Sequence, residues 1–207
     1  MEYLASHIKI MGSLIYRVRE ALNNNPDFIS GARSYHFDCF TGDRFNLWHY
    51  PGTANEISAS FIHMNKSPES YQVKFPGILN FQPVEQRFTN EEVTYSYNLG
   101  IVAPVKSAWT TEEREKYVFE PILRPIYKEL LNQITKIGKN NFFRVDFGML
   151  PHRIYEVYTT GNNMNELIKG RYGDFIDAIE IHDLQLKIKK LCKADLEVIE
   201  NENKLIE

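Results

Sequence analysis

The amino-acid sequence predicts a single α+β domain in which an N-terminal helix and a central, proline-kinked helix pack on a mostly antiparallel sheet with a long hairpin arm. Three observations predict it. A helical pattern of apolar residues opens the chain, a second occupies its centre, and alternating, strand-like segments follow each of them. Helices and strands segregated in this way are typical of α+β domains. We expect the domain to cover residues 1–194, with an extended loop or hairpin arm over 56–90 and an acidic tail over 195–207.

Composition restricts the function. With 207 residues, of which 43% are apolar and 25% charged, the chain has the composition of a globular domain with one core. The aromatic fraction of 13% predicts large buried or interfacial surfaces, because Tyr and Phe supply much of the energy of both. A net charge of −3 disfavours tight binding to nucleic acid. The sequence shows no apolar run of ~20 residues and no signal-peptide pattern, so we expect no membrane span and synthesis in a cytoplasm.

The N-terminal pattern predicts an amphipathic helix over 4–22. Its apolar residues recur at steps of three and four, which places them on one helix face. The members of this stripe are Leu4, Ile8, Met11, Ile15, Val18 and Leu22. The run 23–26, which is asparagine-rich and ends in proline, predicts the end of the helix.

A first hairpin is predicted directly after this helix. Residues 35–40 and 44–50 have strand-like composition, and 41–43 form a short turn between them. Pro51 ends the second strand, and 57–64 is a further candidate strand.

A second, longer hairpin is predicted from two extended segments, 71–82 and 92–102, with 83–90 as its tip. Pro76 and Gly77 predict that the first segment is an edge strand or contains a bulge. The clearest alternation in this half of the chain involves Val93, Tyr95, Tyr97, Leu99 and Ile101.

The centre of the chain predicts a broken helix. Thr110 and Glu113 form a capping-box pattern, which marks a helix start. Two prolines follow, and proline interrupts the hydrogen bonding of an α-helix. We therefore expect a short helix to about Phe119, a kink, and a second helix over 125–137 that ends at Gly138.

Strands return in the last third, over 142–147, 154–158 and 175–189. The third of these changes the parity of its apolar residues partway along. Ile179 and Ile181 share one parity, and Leu184, Leu186 and Ile188 share the other. A one-residue slip reconciles them, so the sequence predicts a β-bulge at His182 and Asp183.

The sequence contains no pattern typical of a catalytic, cofactor or metal site. Metal-ligand spacings such as HExxH and phosphate-binding glycine motifs do not occur, so we expect no enzyme, no cofactor and no metal. One alternative stays open. His36, Asp38, Cys39 and His49 lie in the first hairpin and would have to converge to form a Cys–His nucleophile or a metal site.

Other polar residues are interpreted structurally. Asp174, Asp177 and Glu180 are expected on a solvated face of the last strand. Cys39 and Cys192 are far apart and lack a CxxC spacing, so we expect two structural thiols in a reducing compartment.

The order of these elements, with the segments 118–131 and 171–181, resembles the neck and tail-completion proteins of tailed bacteriophages. The resemblance covers roughly residues 1–190, and the two segments resemble neck proteins of phages that infect Bacteroidales, the crAss-like group included. Members that share the tail-terminator fold have a sheet flanked by an N-terminal and a central helix. The stretch 56–90 is longer than the compact fold requires.

The resemblance implies a structural virion protein. Such proteins form rings of six or twelve copies below the portal and join the capsid to the tail around a DNA channel. The implied partners are further copies of the chain, the portal or adaptor protein, adjacent neck or tail rings, and genomic DNA nearby. Two alternatives stay open: a hydrolase-type or metal-dependent enzyme using the first hairpin, and a monomeric ligand-binding domain.

Overall fold

The computed structural model describes residues 6–66, 74–89, 92–138, 143–145, 152–155 and 175–189. Within these residues the chain forms helices and a mostly antiparallel mixed sheet, which confirms the predicted α+β class. The helices are α1 (His7–Asn23), α2 (Pro26–Arg33), α3 (Ala54–Met64), α4 (Thr111–Arg114), a π-helical segment (Glu115–Leu123) and α5 (Arg124–Gly138). The strands are β1 (Phe40–Thr41), β2 (Arg44–Phe45), β3 (Trp48–Gly52), β4 (Gly77–Phe88), β5 (Glu92–Pro104), β6 (Phe143–Val145), β7 (His152–Tyr155) and β8 (Ile176–Lys189).

The main sheet has the strand order β3-β4-β5-β8-β6, and β7 also pairs with β8. β3 runs parallel to β4, and every other pair in this sheet is antiparallel. β5 and β8 pair along their whole lengths of 13 and 14 residues, so they form the axis of the sheet. β1 and β2 form a separate two-stranded sheet.

Helices cover the two faces of this sheet unequally. On one face α1, α2, the π-helical segment and α5 bury the larger apolar core, which includes Tyr97, Leu99 and Ile101 of β5. On the other face Ile57 and Phe61 of α3 bury a smaller core. This second layer covers only the part of the sheet near β3, and the far ends of β4, β5 and β8 extend beyond it.

The predicted N-terminal helix is confirmed as α1. Four members of its predicted stripe are buried: Met11, Ile15, Val18 and Leu22. Leu14, which was not predicted, is buried as well. Ile8 is 40% exposed, so its assignment to the buried face was wrong. The buried stripe is centred toward Leu14, which leaves Ile8 at its margin in the first turn. Leu4 lies outside the described residues.

The predicted end of this helix is confirmed, but the same residues also begin α2, which was not predicted. The Asn25 side chain accepts hydrogen bonds from the backbone N–H groups of Asp27 and Phe28 at 3.1 and 3.2 Å. Pro26 occupies the first helical position, where its missing N–H costs nothing.

The first predicted hairpin is wrong over most of its length. Only the short strands β1 and β2 pair with each other, and 35–38 form no strand. The Asp38 carboxylate accepts the N–H of Phe40 at 3.0 Å, a local bond that turns the chain. The second predicted arm contains β2 and the start of β3, and β3 pairs in parallel with β4 instead. The prediction that Pro51 ends this strand was wrong, because β3 continues to Gly52.

The strand predicted over 57–64 is also wrong, because these residues belong to α3. Thr53 caps this helix: its hydroxyl accepts the N–H of Glu56 at 3.3 Å, and the Glu56 carboxylate accepts the N–H of Thr53 at 2.7 Å. Ile57 and Phe61, one turn apart, both face the sheet, so the apolar residues follow the helical period.

The long hairpin is confirmed as β4 and β5, and all five residues of the predicted alternation are buried. β4 continues to Phe88, so 83–88 belong to a strand and not to the tip. The bulge predicted near Pro76 and Gly77 lies farther on, where the register shifts between Phe81 and Glu85. The edge-strand interpretation of Pro76 and Gly77 was wrong, because β4 lies between β3 and β5 there.

The capping box and the second helix are confirmed, and a π-helical segment joins them at the position of the predicted kink. Thr110 accepts the N–H of Glu113 at 3.3 Å, and the Glu113 carboxylate accepts the N–H of Thr110 at 2.8 Å. Pro121 lies within the π-helical segment. There the N–H of Arg124 bonds to the carbonyl of Phe119, five residues earlier. This wider turn accommodates a proline that would clash in an α-helix, so the helix continues.

The bulge predicted in the last strand is confirmed. The register of β5 and β8 shifts between Tyr97 and Leu99, opposite His182 and Asp183. Asp183 adopts a φ of 51°, and its N–H donates to the Asn98 side chain at 3.1 Å. β6 and β7 correspond to the two shorter predicted strands. The predicted acidic tail lies outside the described residues.

No helix within the described ranges combines the length and apolar character needed to cross a bilayer.

The positive φ of Asp183 in the bulge predicts how substitutions there change the stability of the fold. We expect Asp183→Val to lower the free energy of unfolding by about 1–2 kcal/mol, because a β-branched residue at positive φ is strained, and Asp183→Gly to cause no such loss. Thr94→Val, in an extended part of β5 on the polar face, is the matched control. Urea unfolding measures all three. Equal effects of valine at the two positions would contradict the assignment.

Candidate functional site

The four residues of the first-hairpin hypothesis have different neighbours. The His36 ring contacts Trp109 and Tyr117. Asp38 binds a backbone N–H in its own loop. His49 Nε2 lies 3.4 Å from Asn80 Nδ2. Among the residues that the structure describes, no group of three His, Cys, Asp or Glu side chains could hold a metal ion.

Cys39 is buried, and its surroundings oppose a nucleophilic role. Burial, reinforced by the nearby Asp38, raises the pKa of the Cys39 thiol to about 12. A reactive thiol needs the opposite shift, because the thiolate is the nucleophile. The structure therefore supports the structural interpretation of this cysteine. Cys192 lies outside the described residues.

The prediction that Asp177 lies on a solvated face was wrong. Its side chain is fully buried, and its Oδ1 lies 2.6 Å from Nη1 of Arg114, whose side chain is only 5% exposed. The signal was present in the sequence. Asp177 shares the parity of Ile179 and Ile181, which face the core. Asp174 is not described, and Glu180 lies 2.9 Å from His182 Nε2.

Arg114 uses its guanidinium to join two parts of the fold. Besides the bond to Asp177 in β8, its Nε donates to the backbone carbonyl of Trp109 at 3.0 Å. Nearby, the Tyr35 hydroxyl donates to the carbonyl of Pro104 at the end of β5. These bonds hold the turn before the central helix and the loop after α2 against the sheet.

This anchoring places three aromatic rings side by side. The ring centroids of His36 and Trp109 are 5.1 Å apart, those of His36 and Tyr117 are 5.3 Å apart, and those of Trp109 and Tyr117 are 5.5 Å apart. His36 is exposed, and the other two rings are half-buried. Aromatic side chains clustered at a surface are typical of interaction sites.

Two exposed lysines border these rings. Lys106 Nζ lies 5.3 Å from the centroid of the Trp109 ring, and Lys116 Nζ lies 5.2 Å from that of Tyr117. Both distances fit cation–π contacts. We call the set formed by His36, Lys106, Trp109, Lys116 and Tyr117 the aromatic–lysine patch.

A second candidate surface is the outer edge of β4 beyond its bulge. β3 pairs with β4 only as far as Phe81, and in the described part of the chain no other strand pairs with the outer edge of 83–88. Residues 85–89 are all exposed, and Phe88 is 58% exposed. We call residues 83–88 the distal β4 edge. An open strand edge of this kind can accept a strand from another chain.

A buried polar pair lies nearer the middle of the sheet. Asn80 is fully buried beside His49, and a Cβ added at Gly12 of α1 would lie 3.4 Å from His49 Nδ1. Burial lowers the pKa of His49 to about 4, so the ring stays neutral at neutral pH.

Comparisons with protein-family models, curated proteins and solved structures found no match to this chain. The two surfaces are therefore interpreted from their geometry and from the resemblance to phage neck proteins.

The buried ion pair of Arg114 and Asp177 predicts a large loss of stability when one partner is removed. We expect Asp177→Asn to lower the free energy of unfolding by about 3–5 kcal/mol, because it leaves the Arg114 charge buried without its counter-ion. Asp43→Asn, which breaks the exposed 2.9 Å pair with Arg33, should cost no more than about 1 kcal/mol. Denaturant unfolding gives both values. Similar losses in the two variants would show that the buried pair is not a major constraint.

The lowered pKa of His49 predicts that the stability of the fold depends on pH. Its pKa is about 4 in the folded chain against an ordinary value of 6.5, so the unfolded chain binds more protons between these values. Stability should therefore fall as the pH drops from 6.5 to 4. His49→Gln should flatten this slope, although His7, whose pKa is also lowered by burial, contributes a slope of the same sign.

His63→Gln, which removes an exposed histidine of α3, is the control and should retain the slope. Unfolding in urea across this pH range measures the effect. An unchanged slope in His49→Gln would contradict the prediction.

Proposed function

We propose that this chain is a structural virion protein that forms a ring in the neck of a tailed phage, where it joins the portal or adaptor protein to the tail around the DNA channel. The observation that carries the proposal is the distal β4 edge. A chain with an open strand edge can add to the sheet of a neighbouring copy, and head-to-tail addition that closes by rotation produces a ring.

Contacts along this edge suit a specific neighbour. Glu85 and Arg87 form an exposed ion pair at 2.9 Å, and charges on an edge strand discourage pairing with unrelated strands. Phe88 pairs in register with the buried Val93, so it lies on the face of the sheet that carries the large core. A neighbour that covered this edge would remove the exposed Phe88 ring from water.

The resemblance supports the finer features of the proposal. The placement of α1 and the central helix on one sheet face supports a tail-terminator-like arrangement. We propose rings of six or twelve copies, stacked on the portal or adaptor and on adjacent neck or tail rings. With a net charge of −3, the wall of such a channel would let DNA slide without binding it tightly.

Self-association tests the proposal directly. We expect the full chain to form a closed oligomer by light scattering and Phe88→Glu to reduce its mass to that of the monomer, because a charge at the edge opposes strand addition. Ile62→Glu is the matched control: Ile62 of α3 is 49% exposed on the opposite side of the sheet, and this variant should keep the mass of the parent. A parent chain that stays monomeric at high concentration, or an unchanged mass in Phe88→Glu, would overturn the proposal.

A further inference from the structure

We propose that the distal β4 edge also pairs with itself, so that two free copies form an antiparallel dimer about a two-fold axis at Gln86. The inference goes beyond the proposed ring, because it assigns a second state to the same edge. A copy paired in this way cannot add its edge to a neighbour in a ring. The dimer therefore covers the distal β4 edge of the unassembled chain.

The distal β4 edge has the same chemical order in both directions. Val84 and Phe88 are apolar and lie at its two ends, the oppositely charged Glu85 and Arg87 lie inside them, and Gln86 is central. Two copies that run antiparallel about Gln86 bring Glu85 of each opposite Arg87 of the other. They also bring Val84 of each opposite Phe88 of the other. Opposite-charge and apolar pairs across strands are stabilising, and a two-fold interface forms each of them twice.

The pairing of β4 with β5 puts these contacts on matching faces of the sheet. Glu85 and Arg87 lie opposite uncharged side chains of β5 on the polar face. Phe88 pairs with the buried Val93, and Val84 is part of the large core, so both lie on the core face. A dimer about this axis continues the sheet from one copy to the next, with ion pairs on one face and apolar contacts on the other.

The two charged side chains are accessible to a partner. Glu85 and Arg87 form a 2.9 Å pair within the chain, yet their side chains are 59% and 69% exposed. Glu85, and to a smaller extent Asp183 of β8, raise the pKa of Arg87. An antiparallel partner gives each of the two edge residues a second counter-ion, and it sets no like charges directly opposite each other.

Other registers of the same edge are unfavourable. A shift of the partner by two residues in one direction sets Glu85 opposite Glu85, and in the other direction it sets Arg87 opposite Arg87. Like charges directly opposite destabilise an antiparallel pair. A shift by one residue turns the polar face of one copy to the core side of the other. The charges therefore select the pairing about Gln86.

The backbone permits this pairing along the whole segment 84–88. β3 ends its pairing at Phe81, and Pro83 supplies no N–H, so the segment begins after the proline. Within it, alternate residues bond to β5, and the N–H and C=O groups of the others point to the outer edge. A two-fold axis at Gln86 places these outward groups opposite those of the partner, donor to acceptor.

Charge reversal with rescue tests the self-pairing. As its concentration rises, the full chain should pass from monomer to dimer before the ring appears in sedimentation equilibrium. Glu85→Arg and Arg87→Glu should each raise the dissociation constant of the dimer about tenfold, equivalent to about 1.4 kcal/mol, because each sets like charges opposite each other. The double variant should dimerise as the parent does, because it only exchanges the partners of each ion pair. An equimolar mixture of the two single variants should do the same, because each supplies the charge that the other lacks.

Asp43→Arg is the matched control. It reverses one charge of another exposed 2.9 Å ion pair, in the turn between β1 and β2, and should leave the dissociation constant of the dimer unchanged. A double variant that fails to dimerise, or single variants that dimerise as the parent does, would overturn the proposal. A loss in Asp43→Arg equal to that in Glu85→Arg would also overturn it.

The measured masses separate this inference from the proposed ring. Head-to-tail addition sets the distal β4 edge against a different strand, so the exchange of Glu85 and Arg87 does not restore that contact. A dimer that never grows into a ring would overturn the ring alone. Growth from monomer to ring with no dimer between them would overturn the self-pairing alone.

Discussion

The buried contact between Arg114 and Asp177 is the constraint on which the arrangement of the helical layer depends. Asp177 lies at the start of β8, and Arg114 lies at the start of the central helix. Because the guanidinium also binds the carbonyl of Trp109, one side chain sets both the origin of the helix and the position of the turn before it. A fully buried carboxylate and a nearly buried guanidinium are costly to desolvate. Their attraction at 2.6 Å opposes that cost, and the contact joins two elements across 63 positions of sequence.

From Arg114 the chain stays helical to Gly138, although it contains prolines. The π-helical turns accommodate Pro121, and α5 follows them directly in the chain. Val118 and Phe119 before the proline, and Ile122 and Ile126 after it, all remain buried in the same core. The wider turns thus reconcile a local backbone conflict with continuous packing on β5 and β8.

The sequence predicted an element correctly wherever its local pattern agrees with the tertiary packing. The parity of Ile179 and Leu184 predicted the bulge in β8, because burial on one face leaves no other solution. Prediction from the sequence failed where residues distant in the chain determine which strands pair. Residues 48–50 were assigned to a hairpin arm, yet they belong to β3, which pairs in parallel with β4, a strand that follows only after α3. The strand predicted over 57–64 ignored the Thr53–Glu56 cap, whose capping-box pattern was available in the sequence.

The candidate surfaces were predictable to a smaller extent. A high aromatic content predicted an interface, but not that His36, Trp109 and Tyr117 would meet, because they come from three separate segments. Likewise, the long hairpin was predicted, whereas the part of its edge that no described strand pairs with depends on β3 ending its pairing at Phe81.

The Asp183 bulge also changes which residues of β8 face the large core. Odd-numbered residues face it before the bulge, and even-numbered residues face it after the bulge. An insertion of one residue on either side would turn a set of aliphatic side chains toward water. Adding matched residues to both strands at the hairpin tip would keep every inward side chain inward. Changes in length are therefore best tolerated at that tip, where the arm can become longer or shorter while the core stays the same.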